Sequence, residues 1–237
     1  MPIPPSRYNK KESFFNPLSN FLKLVYHNNN KMSTTIRRAH GKKNIVIYGG
    51  SFNPPHIGHA IAVEAVLRNF KCVEIWVMPS SERKDKRIGT LGKHRVKMLN
   101  ILIKEFFGHS EIPVKISTLE LERPGLTTTY DTKTELEKRY PKNKFYFLIG
   151  SELLWYIRYD WVKGNELWNN ANFLAIRKPE TKVPDKLPPN IKLVDKDIVW
   201  VNISSTIIRN FIKKGYSGIP YLLPKIASYI KKNGLFK

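Results

Sequence analysis

Short apolar runs alternate with longer amphipathic segments from residue 44 to the end of the chain. The runs are rich in β-branched or aromatic residues and are bounded by Gly, Pro or polar turns, which is typical of buried strands. The predicted strands are NIVIYG (44–49), VEIWVMP (73–79), VKISTLELE (114–122), KFYFLIG (144–150), NFLAIRKP (172–179) and IVWVNI (198–203).

Between these runs, apolar residues recur at helical spacing. In residues 59–70, Val63, Val66, Leu67 and Phe70 fall at i, i+3, i+4 and i+7, on one face of a helix. Similar spacing predicts helices over 92–107, 131–140, 204–214 and 221–233.

Alternation of strand and helix predicts an α/β fold. We expect a Rossmann-like, doubly wound parallel sheet with helices on both faces, in a single domain that ends in C-terminal helices. Ligands of such folds bind beyond the carboxyl ends of the strands, where the motifs described below fall.

The first 43 residues differ from the rest in composition. They are rich in Asn, Lys, Pro and Ser without sustained periodicity, which is typical of a segment that cannot bury enough surface to fold alone. We therefore predict a basic flexible extension (1–43) followed by one domain (44–237). A simple extension, or a true start at Met32, is favoured over an organellar presequence, although the apolar patch FFNPLSNFLKLVY leaves targeting open.

Size and composition predict a globular protein. The chain has 237 residues, 41% of them hydrophobic, which is enough for a full core. No stretch reaches the 18 or so apolar residues of a membrane helix, so no membrane association is expected. One cysteine, Cys72, fits a reducing compartment. We expect a cytoplasmic protein, and the sequence is compatible with a homo-oligomer.

The formal charge of +22 is extreme and will attract polyanions. Residues 1–43 hold nine Lys/Arg and a single acid, Glu12, which leaves about +14 on the remainder. Basicity is therefore a property of the whole chain. No basic stretch is interleaved with aromatic residues as a nucleic-acid surface would be, so a solvated, lysine-rich surface is the favoured interpretation.

The stretch GGSFNPPHIGHA (49–60) follows the first predicted strand. Its two glycines let the backbone approach a ligand, so that the amides of Ser51 and Phe52 can face phosphate oxygens. His56 and His59 lie three apart at a helix start, on one side of a turn and near the positive end of the helix dipole. The stretch therefore predicts a site for developing phosphate charge.

Two other interpretations of this stretch are weak. No GK[ST] follows the glycines, so it is not the common phosphate loop. Two histidines without a third nearby ligand leave a zinc ion underligated, so we assign no protein metal site.

A second motif is ISSTIIRNFIKKG (203–215). Ser204 or Ser205 is a good N-cap for a helix whose packed face is Ile208, Phe211 and Ile212. Arg209 falls on the opposite side, beside the helix N-terminus, where a guanidinium can pair with phosphate.

Together these motifs resemble the nucleotidyltransferase superfamily related to class I aminoacyl-tRNA synthetases, with its (T/H)xGH and (S/T)xxR motifs. Over residues 44–237 the chain resembles bacterial-type nicotinate mononucleotide adenylyltransferases, through VMPSSERKDK, RPGLTTTYDT (123–132), FLIGSELLWYIRYDW (147–161), ANFLAIRKP (171–179) and LLPKIASYIKKNGLF. A tRNA synthetase is not indicated, because KMSTT (31–35) precedes the histidine motif instead of following it.

The resemblance implies adenylyl transfer from ATP to nicotinate mononucleotide, which yields deamido-NAD and pyrophosphate in NAD biosynthesis. His56, His59 and Arg209 would be catalytic by holding phosphates, since an in-line transfer needs positioning and electrostatics and no covalent enzyme intermediate. Mg²⁺ would arrive with ATP, without an assigned protein ligand. Alternatives are a sister enzyme acting on nicotinamide mononucleotide or phosphopantetheine, and an inactive, basic nucleic-acid-binding protein on the same fold.

The resemblance also implies two sets of binding residues. The ATP-binding set is Gly49, Gly50, Ser51, Phe52, His56, His59, Gly150, Glu152, Ser205, Thr206 and Arg209. The set for the second substrate is Ser51, Phe52, Thr128, Thr129 and Trp161.

Two departures from the family pattern stand out. Glu152 occupies the place of the Asp in the family's Gly-x-Asp, which contacts the adenosine ribose. Thr128 stands where the family usually has the tyrosine of Ser-Tyr-Thr, so either Tyr130 substitutes for it or the pyridine pocket differs. Trp161 matches a tryptophan near the pyridine ring, and Arg83 and Lys84 belong to a basic loop that either closes over ATP or is solvated.

Overall fold

A computed structural model describes residues 41–81, 88–123, 125–199 and 201–237. Residues 1–40 of the predicted extension and the basic loop of Arg83 and Lys84 lie outside the described residues. From Lys42 onward the chain forms one compact unit. Its strands are Lys43–Gly50 (β1), Glu74–Pro79 (β2), Val114–Ile116 (β3), Asn143–Gly150 (β4), Asn172–Ile176 (β5) and Ile191–Val194 (β6).

The six strands form one parallel sheet in the order β3-β2-β1-β4-β5-β6. The chain moves outward from β1 to β3, then returns to the other side of β1 with β4. The direction of winding thus reverses between β1 and β4, and in open sheets this switch point is where a crevice forms. The predicted doubly wound α/β fold is confirmed.

The helices of the described part lie between and after these strands. They are Ile57–Asn69 (α1), Gly92–Phe107 (α2), Leu119–Glu122 (α3), Thr129–Arg139 (α4), Leu154–Asp160 (α5), Gly164–Asn170 (α6), Ser205–Lys213 (α7) and Pro224–Lys232 (α8). A 3₁₀ turn, Ser151–Leu153, joins β4 to α5. None of these helices is long and apolar enough to cross a membrane.

Alternating residues of the strands supply two cores, one on each face of the sheet. On β1, Val46 packs with α1, α2, α7 and α8, whereas Ile45 and Ile47 pack with α3 to α6. Each fully buried aliphatic side chain of these cores stabilises the fold by about 1.5–3 kcal/mol relative to exposure. We call the α1, α2, α7 and α8 side the first layer and the α3 to α6 side the second layer.

The predicted strand over 114–122 is only partly right. Pairing with β2 ends at Ile116, and residues 119–122 form the single helical turn α3. The sequence LELE alternates as a strand does, but the turn buries Leu119 in the second core while Glu120 lines the cleft described below.

The prediction of a last strand over 198–203 is wrong. The sixth strand is β6, the short and lysine-containing IKLV that pairs with β5. The described residues of 198–203 form a loop, and Val199 is 66% exposed. Ile198, Val201 and Ile203 line the cleft, and Ile198 and Ile203 also pack against the first core, so the composition of this loop resembles that of a buried strand.

Candidate active site

A cleft of about 900 Å³ opens at the carboxyl edge of the sheet, over the β1–β4 switch point. Most of the predicted site residues line it, although they come from distant parts of the chain. They are Gly49, Gly50, Ser51, His56, His59, Thr128, Thr129, Gly150, Glu152, Trp161, Ser205 and Thr206. Phe52 and Arg209 do not line the cleft; both contact the residues that do.

The two histidines begin helix α1. His56 is the N-cap and His59 is the third helical residue. The backbone N–H of His56 donates to Nδ1 of His59 at 3.1 Å, and the two ring centroids lie 3.8 Å apart. Because Nδ1 of His59 accepts this bond, a neutral His59 ring carries its proton on Nε2 and keeps one donor available.

Both imidazoles are electrically neutral near pH 7. Burial lowers the pKa of His56 to about 4. Burial, followed by the neighbouring His56, lowers the pKa of His59 well below its ordinary value. His56 Nδ1 is buried and has no hydrogen-bond partner within the described chain. The polar atoms of this neutral pair would therefore form better hydrogen bonds with a bound anionic group than they form within the protein alone.

Glycines in this stretch make room for functional side chains. A β-carbon at Gly58 would lie 3.1 Å from Nδ1 and Cε1 of the His56 ring. A β-carbon at Gly50 would lie 3.1 Å from the tip of the Phe52 ring, whereas one at Gly49 would meet no atom within 4 Å. A side chain at Gly50 or Gly58 would therefore press on the Phe52 or the His56 ring, whereas Gly49 leaves the approach to the cleft open.

Phe52 turns the chain between the strand and the helix. Its φ of 46° lies in a region that is costly for a residue with a side chain. The ring is 1% exposed and packs edge-on against Tyr48 and His59, at centroid distances of 5.3 and 4.9 Å. This packing holds the backbone turn, so the side chain of Phe52 acts from the core and only its backbone is a candidate for ligand contact.

The second motif meets the first directly. Ser205 Oγ donates to the carbonyl of Pro54 at 2.9 Å, and Arg209 Nη1 donates to the carbonyl of Asn53 at 2.8 Å. Arg209 Nη2 also donates to Thr206 Oγ1 at 3.1 Å. Burial lowers the pKa of Arg209, but an arginine remains charged at neutral pH. The charged guanidinium of Arg209 therefore lies beside residues 51–59, which we call the histidine loop.

Arg95 of α2 is a residue that the sequence analysis missed. It is 3% exposed and donates from Nη1 to the carbonyls of Ser51 and Ser80, at 3.0 and 2.8 Å, and from Nε to Thr90. It thereby ties the loop after β1 to the loop after β2. The helical pattern of α2 could not identify Arg95 as a site residue, because the carbonyls that it meets belong to loops distant in sequence.

The ends of β4 and β5 supply a charged pair. Glu152, in the turn after β4, forms an ion pair with Lys178, which follows β5. A side chain at Gly150 would overlap the Glu152 carboxylate, so the glycine provides the space in which that carboxylate lies. Lys178 also lines the cleft and was not among the predicted site residues. Burial, and then the Glu152 charge, raise the pKa of Tyr48, which keeps its hydroxyl protonated.

The threonine segment, residues 127–129, also lines the cleft. Thr128 is the N-cap of α4: its Oγ1 accepts from the backbone N–H of Asp131 at 3.1 Å and donates to Asp131 Oδ2 at 2.7 Å. Leu126 and Thr127 line the cleft with it, whereas Tyr130 is not among the lining residues and packs partly buried against the second core.

Helices α5 and α6, for which no helix was predicted, complete this end of the cleft. Tyr156, Asp160, Trp161 and Val162 all line it. Trp161 follows α5 and packs edge-on against Phe173 at 6.2 Å between centroids, so one ring serves both the core and the cleft. The seven-residue α5 was too short to give a clear periodic signal.

A parallel doubly wound sheet, a cleft at its switch point, and a histidine loop tied to a late Ser-Thr-Arg helix define the nucleotidyltransferase class. Accordingly, residues 47–211 match the family model described as Cytidylyltransferase-like. The chain is 35% identical over 200 residues to a probable nicotinate-nucleotide adenylyltransferase of Bacillus licheniformis and 34% identical over 198 residues to the nicotinate-nucleotide adenylyltransferase of Bacillus subtilis. Each match covers 82% of this chain and 99% of the relative. The chain belongs to the nicotinate-nucleotide adenylyltransferase family.

Solved structures agree with this assignment. The nicotinic acid mononucleotide adenylyltransferase of Plasmodium falciparum, complexed with NaAD, aligns with a TM-score of 0.71 at 30% identity, covering 82% of this chain and 97% of that chain. The same Plasmodium protein complexed with APC aligns with a TM-score of 0.67 at 28% identity.

Proposed function

We propose that this chain transfers the adenylyl group of ATP to nicotinate mononucleotide, with release of pyrophosphate and formation of deamido-NAD. The observation that carries the proposal is the junction at the switch point, where Ser205 and Arg209 bond to the carbonyls of the histidine loop. Two motifs about 150 residues apart thereby form one cleft. The relatives' names and the NaAD in the Plasmodium structure support the choice of substrates.

The proposed roles follow from charge and position. His56, His59 and Arg209 would hold the ATP phosphates as negative charge moves onto the leaving pyrophosphate, with Ser205, Thr206 and the backbone from Gly49 to Phe52 placing the chain of phosphates. Glu152 and Gly150 would face the adenosine. Thr128, Thr129 and Trp161 would face the acceptor nucleotide, with the aromatic ring offering a face for stacking.

Mg²⁺ enters the proposal as part of MgATP. Among the described residues, no three His, Cys, Asp or Glu side chains come together in a way that could hold a metal ion. Magnesium commonly keeps several waters and binds to substrate phosphates, which is compatible with this residue set. No protein ligand is assigned. The cytoplasmic location, the homo-oligomer and the domain division at residue 43 stay predictions.

The test is the formation of dinucleotide from MgATP and nicotinate mononucleotide, measured with pyrophosphate release. We expect His59→Ala to lower kcat by about 100- to 1,000-fold, the loss typical of one positioned donor to a transferring group. His109→Ala is the matched control, because His109 is exposed and lies after α2. Full activity of His59→Ala would contradict the assigned role.

The acceptor is tested side by side with the amide form. Thr128 occupies the place of the family's usual tyrosine, and its hydroxyl already bonds to Asp131. The acceptor pocket therefore departs from the family pattern, and the preference between acid and amide has to be measured. We expect a higher kcat/KM with nicotinate mononucleotide than with nicotinamide mononucleotide. Absence of product from both would contradict the proposed function and favour an inactive binding protein.

A further inference from the structure

Next to the ion pair of Glu152 and Lys178, a hydrogen bond joins the ends of β4 and β5. Ser151 is fully buried, and its Oγ accepts from the backbone N–H of Lys178 at 3.0 Å. Lys178 is one partner of this bond and Glu152 directly follows the other, and the charged groups of Glu152 and Lys178 form the ion pair. The sheet and this bond fix the backbones of the two residues, while the Glu152 and Lys178 side chains remain 38% and 45% exposed and line the cleft.

The two carboxylate oxygens of Glu152 are in different situations. Oε1 accepts from Nζ of Lys178. Oε2 is buried, lies over Gly150, and accepts no hydrogen bond within the described chain. A buried carboxylate oxygen without a donor is costly, so this atom gains from any donor that a bound molecule supplies.

Charge decides which part of a nucleotide can supply that donor. Phosphate oxygens are acceptors and anionic, so a carboxylate repels them. Ribose hydroxyls and the amino group of adenine are neutral donors. Glu152 therefore faces the nucleoside end of ATP, while the histidine loop and Arg209 face the phosphates; this step rests on the proposed function.

To hold its carboxylate in place for a donor of the nucleoside, a glutamate must lose more side-chain freedom than an aspartate, because it has one more rotatable bond. Lys178 supplies the restraint by occupying Oε1, which leaves Oε2 as the free acceptor. Its positive charge also offsets the carboxylate, so that the anionic nucleotide is not repelled from the cleft. We propose that Lys178 is a positioning residue for ATP, which acts through Glu152 by fixing which carboxylate oxygen receives a donor from the nucleoside.

The test compares dissociation constants for ATP with those for three analogues that each lack one donor: 2′-deoxyATP, 3′-deoxyATP and inosine triphosphate. Calorimetric titration without the acceptor substrate gives these values for the wild type. We expect one analogue to bind about tenfold more weakly than ATP, as loss of one hydrogen bond to a charged group implies. In Lys178→Met and in Glu152→Gln this ratio should fall towards one. In Lys178→Arg it should be retained, because the cation is kept.

Lys225→Met is the matched control. It removes another solvent-exposed lysine from an ion pair, the one with Glu105 at 2.6 Å, which joins α8 to α2 away from the cleft. Its analogue ratio and its unfolding temperature should equal those of the wild type.

Three results would overturn the inference. If Lys178→Met weakens ATP and all three analogues equally, the lysine touches the nucleotide directly or acts only on folding. If no analogue is discriminated by the wild type, Glu152 receives no donor. If the wild type does not bind ATP, the inference and the proposed function fail together. A wild type that shows the expected ratios but forms no dinucleotide keeps the inference and removes only the proposed acceptor.

Discussion

The two histidines combine polar function with a buried setting. His56 is 6% exposed and its ring lies close to the tilted ring of His59, so a charge on either ring would be poorly solvated and close to a second ring. Neutral imidazoles are donors and acceptors that cost less to bury than cations. They can hold phosphate oxygens without requiring a permanent positive charge in the cleft.

Acid should destabilise the protein through these rings. The pKa of His56 is about 4 in the folded protein and close to its ordinary value of 6.5 when unfolded, so the unfolded chain binds more protons between these values. The free energy of unfolding therefore falls as the pH falls from about 6.5 to 4, by as much as about 3 kcal/mol for this ring alone. His59 acts in the same direction.

Denaturant titrations at several pH values check this expectation. His56→Gln should show a shallower loss of stability across that window than the wild type, because its side chain does not titrate. His109→Gln, a substitution of an exposed histidine outside the cleft, is the matched control. Equal slopes in all three proteins would mean that His56 titrates normally in the folded state.

At the scale of elements, two adjacent serines at the start of helix α7 have different roles. Ser204 is the N-cap, and its Oγ accepts from the backbone N–H of Ile207 at 3.2 Å. Ser205 is the first helical residue, and its Oγ donates to Pro54. The sequence could not choose between them, because either serine is a good cap.

These serines give a matched pair of substitutions. We expect Ser204→Ala to lower the free energy of unfolding by about 1 kcal/mol, the usual cost of a lost N-cap, with little change in turnover. Ser205→Ala should instead lower kcat/KM for ATP by about tenfold, because it removes the hydrogen bond that ties the histidine loop to α7. Denaturant unfolding and steady-state kinetics on both variants check this, and the reverse pattern would contradict the assignment.

Elements also mark where prediction from sequence succeeded and where it failed. β1, β2, β4 and β5 were predicted within a few residues, because buried parallel strands are apolar and flanked by turns. The 198–203 segment imitated such a strand, since a cleft wall needs the same apolar residues. The true edge strand, β6, is short and keeps Lys192 exposed, so its pattern was weak.

For the whole molecule, the charge is unevenly distributed along the chain. After Asp197 the remaining residues contain no Asp or Glu. They carry seven Lys and Arg residues, which are Arg209, Lys213, Lys214, Lys225, Lys231, Lys232 and Lys237. The helices in this segment, α7 and α8, belong to the first layer, so that layer gains positive charge. A second layer that includes Glu120, Glu122, Glu135 and Glu137 is more balanced.

This field should speed the capture of anionic substrates. We expect kcat/KM for ATP to fall several-fold as ionic strength rises from about 0.01 to 0.15 M, where the screening length shortens from about 30 to 8 Å, while kcat changes little. The double variant Lys231→Gln, Lys232→Gln should reduce the slope, as both lysines are exposed. A kcat/KM that does not depend on salt would show that the charge has no part in substrate capture.

The sequence by itself determined the alternation of strands and helices, the carboxyl-edge position of the motifs and the residue types suited to phosphate. Each of these depends on the spacing of residues that are close together in the sequence. Only the tertiary structure decided what depends on contacts across the chain. Those contacts seat Arg209 and Ser205 on the loop of Asn53 and Pro54, bury the histidines so that they stay neutral, and bring Lys178 to Glu152. Burial and charge pairing arise from residues far apart in sequence, so no local pattern could have specified them.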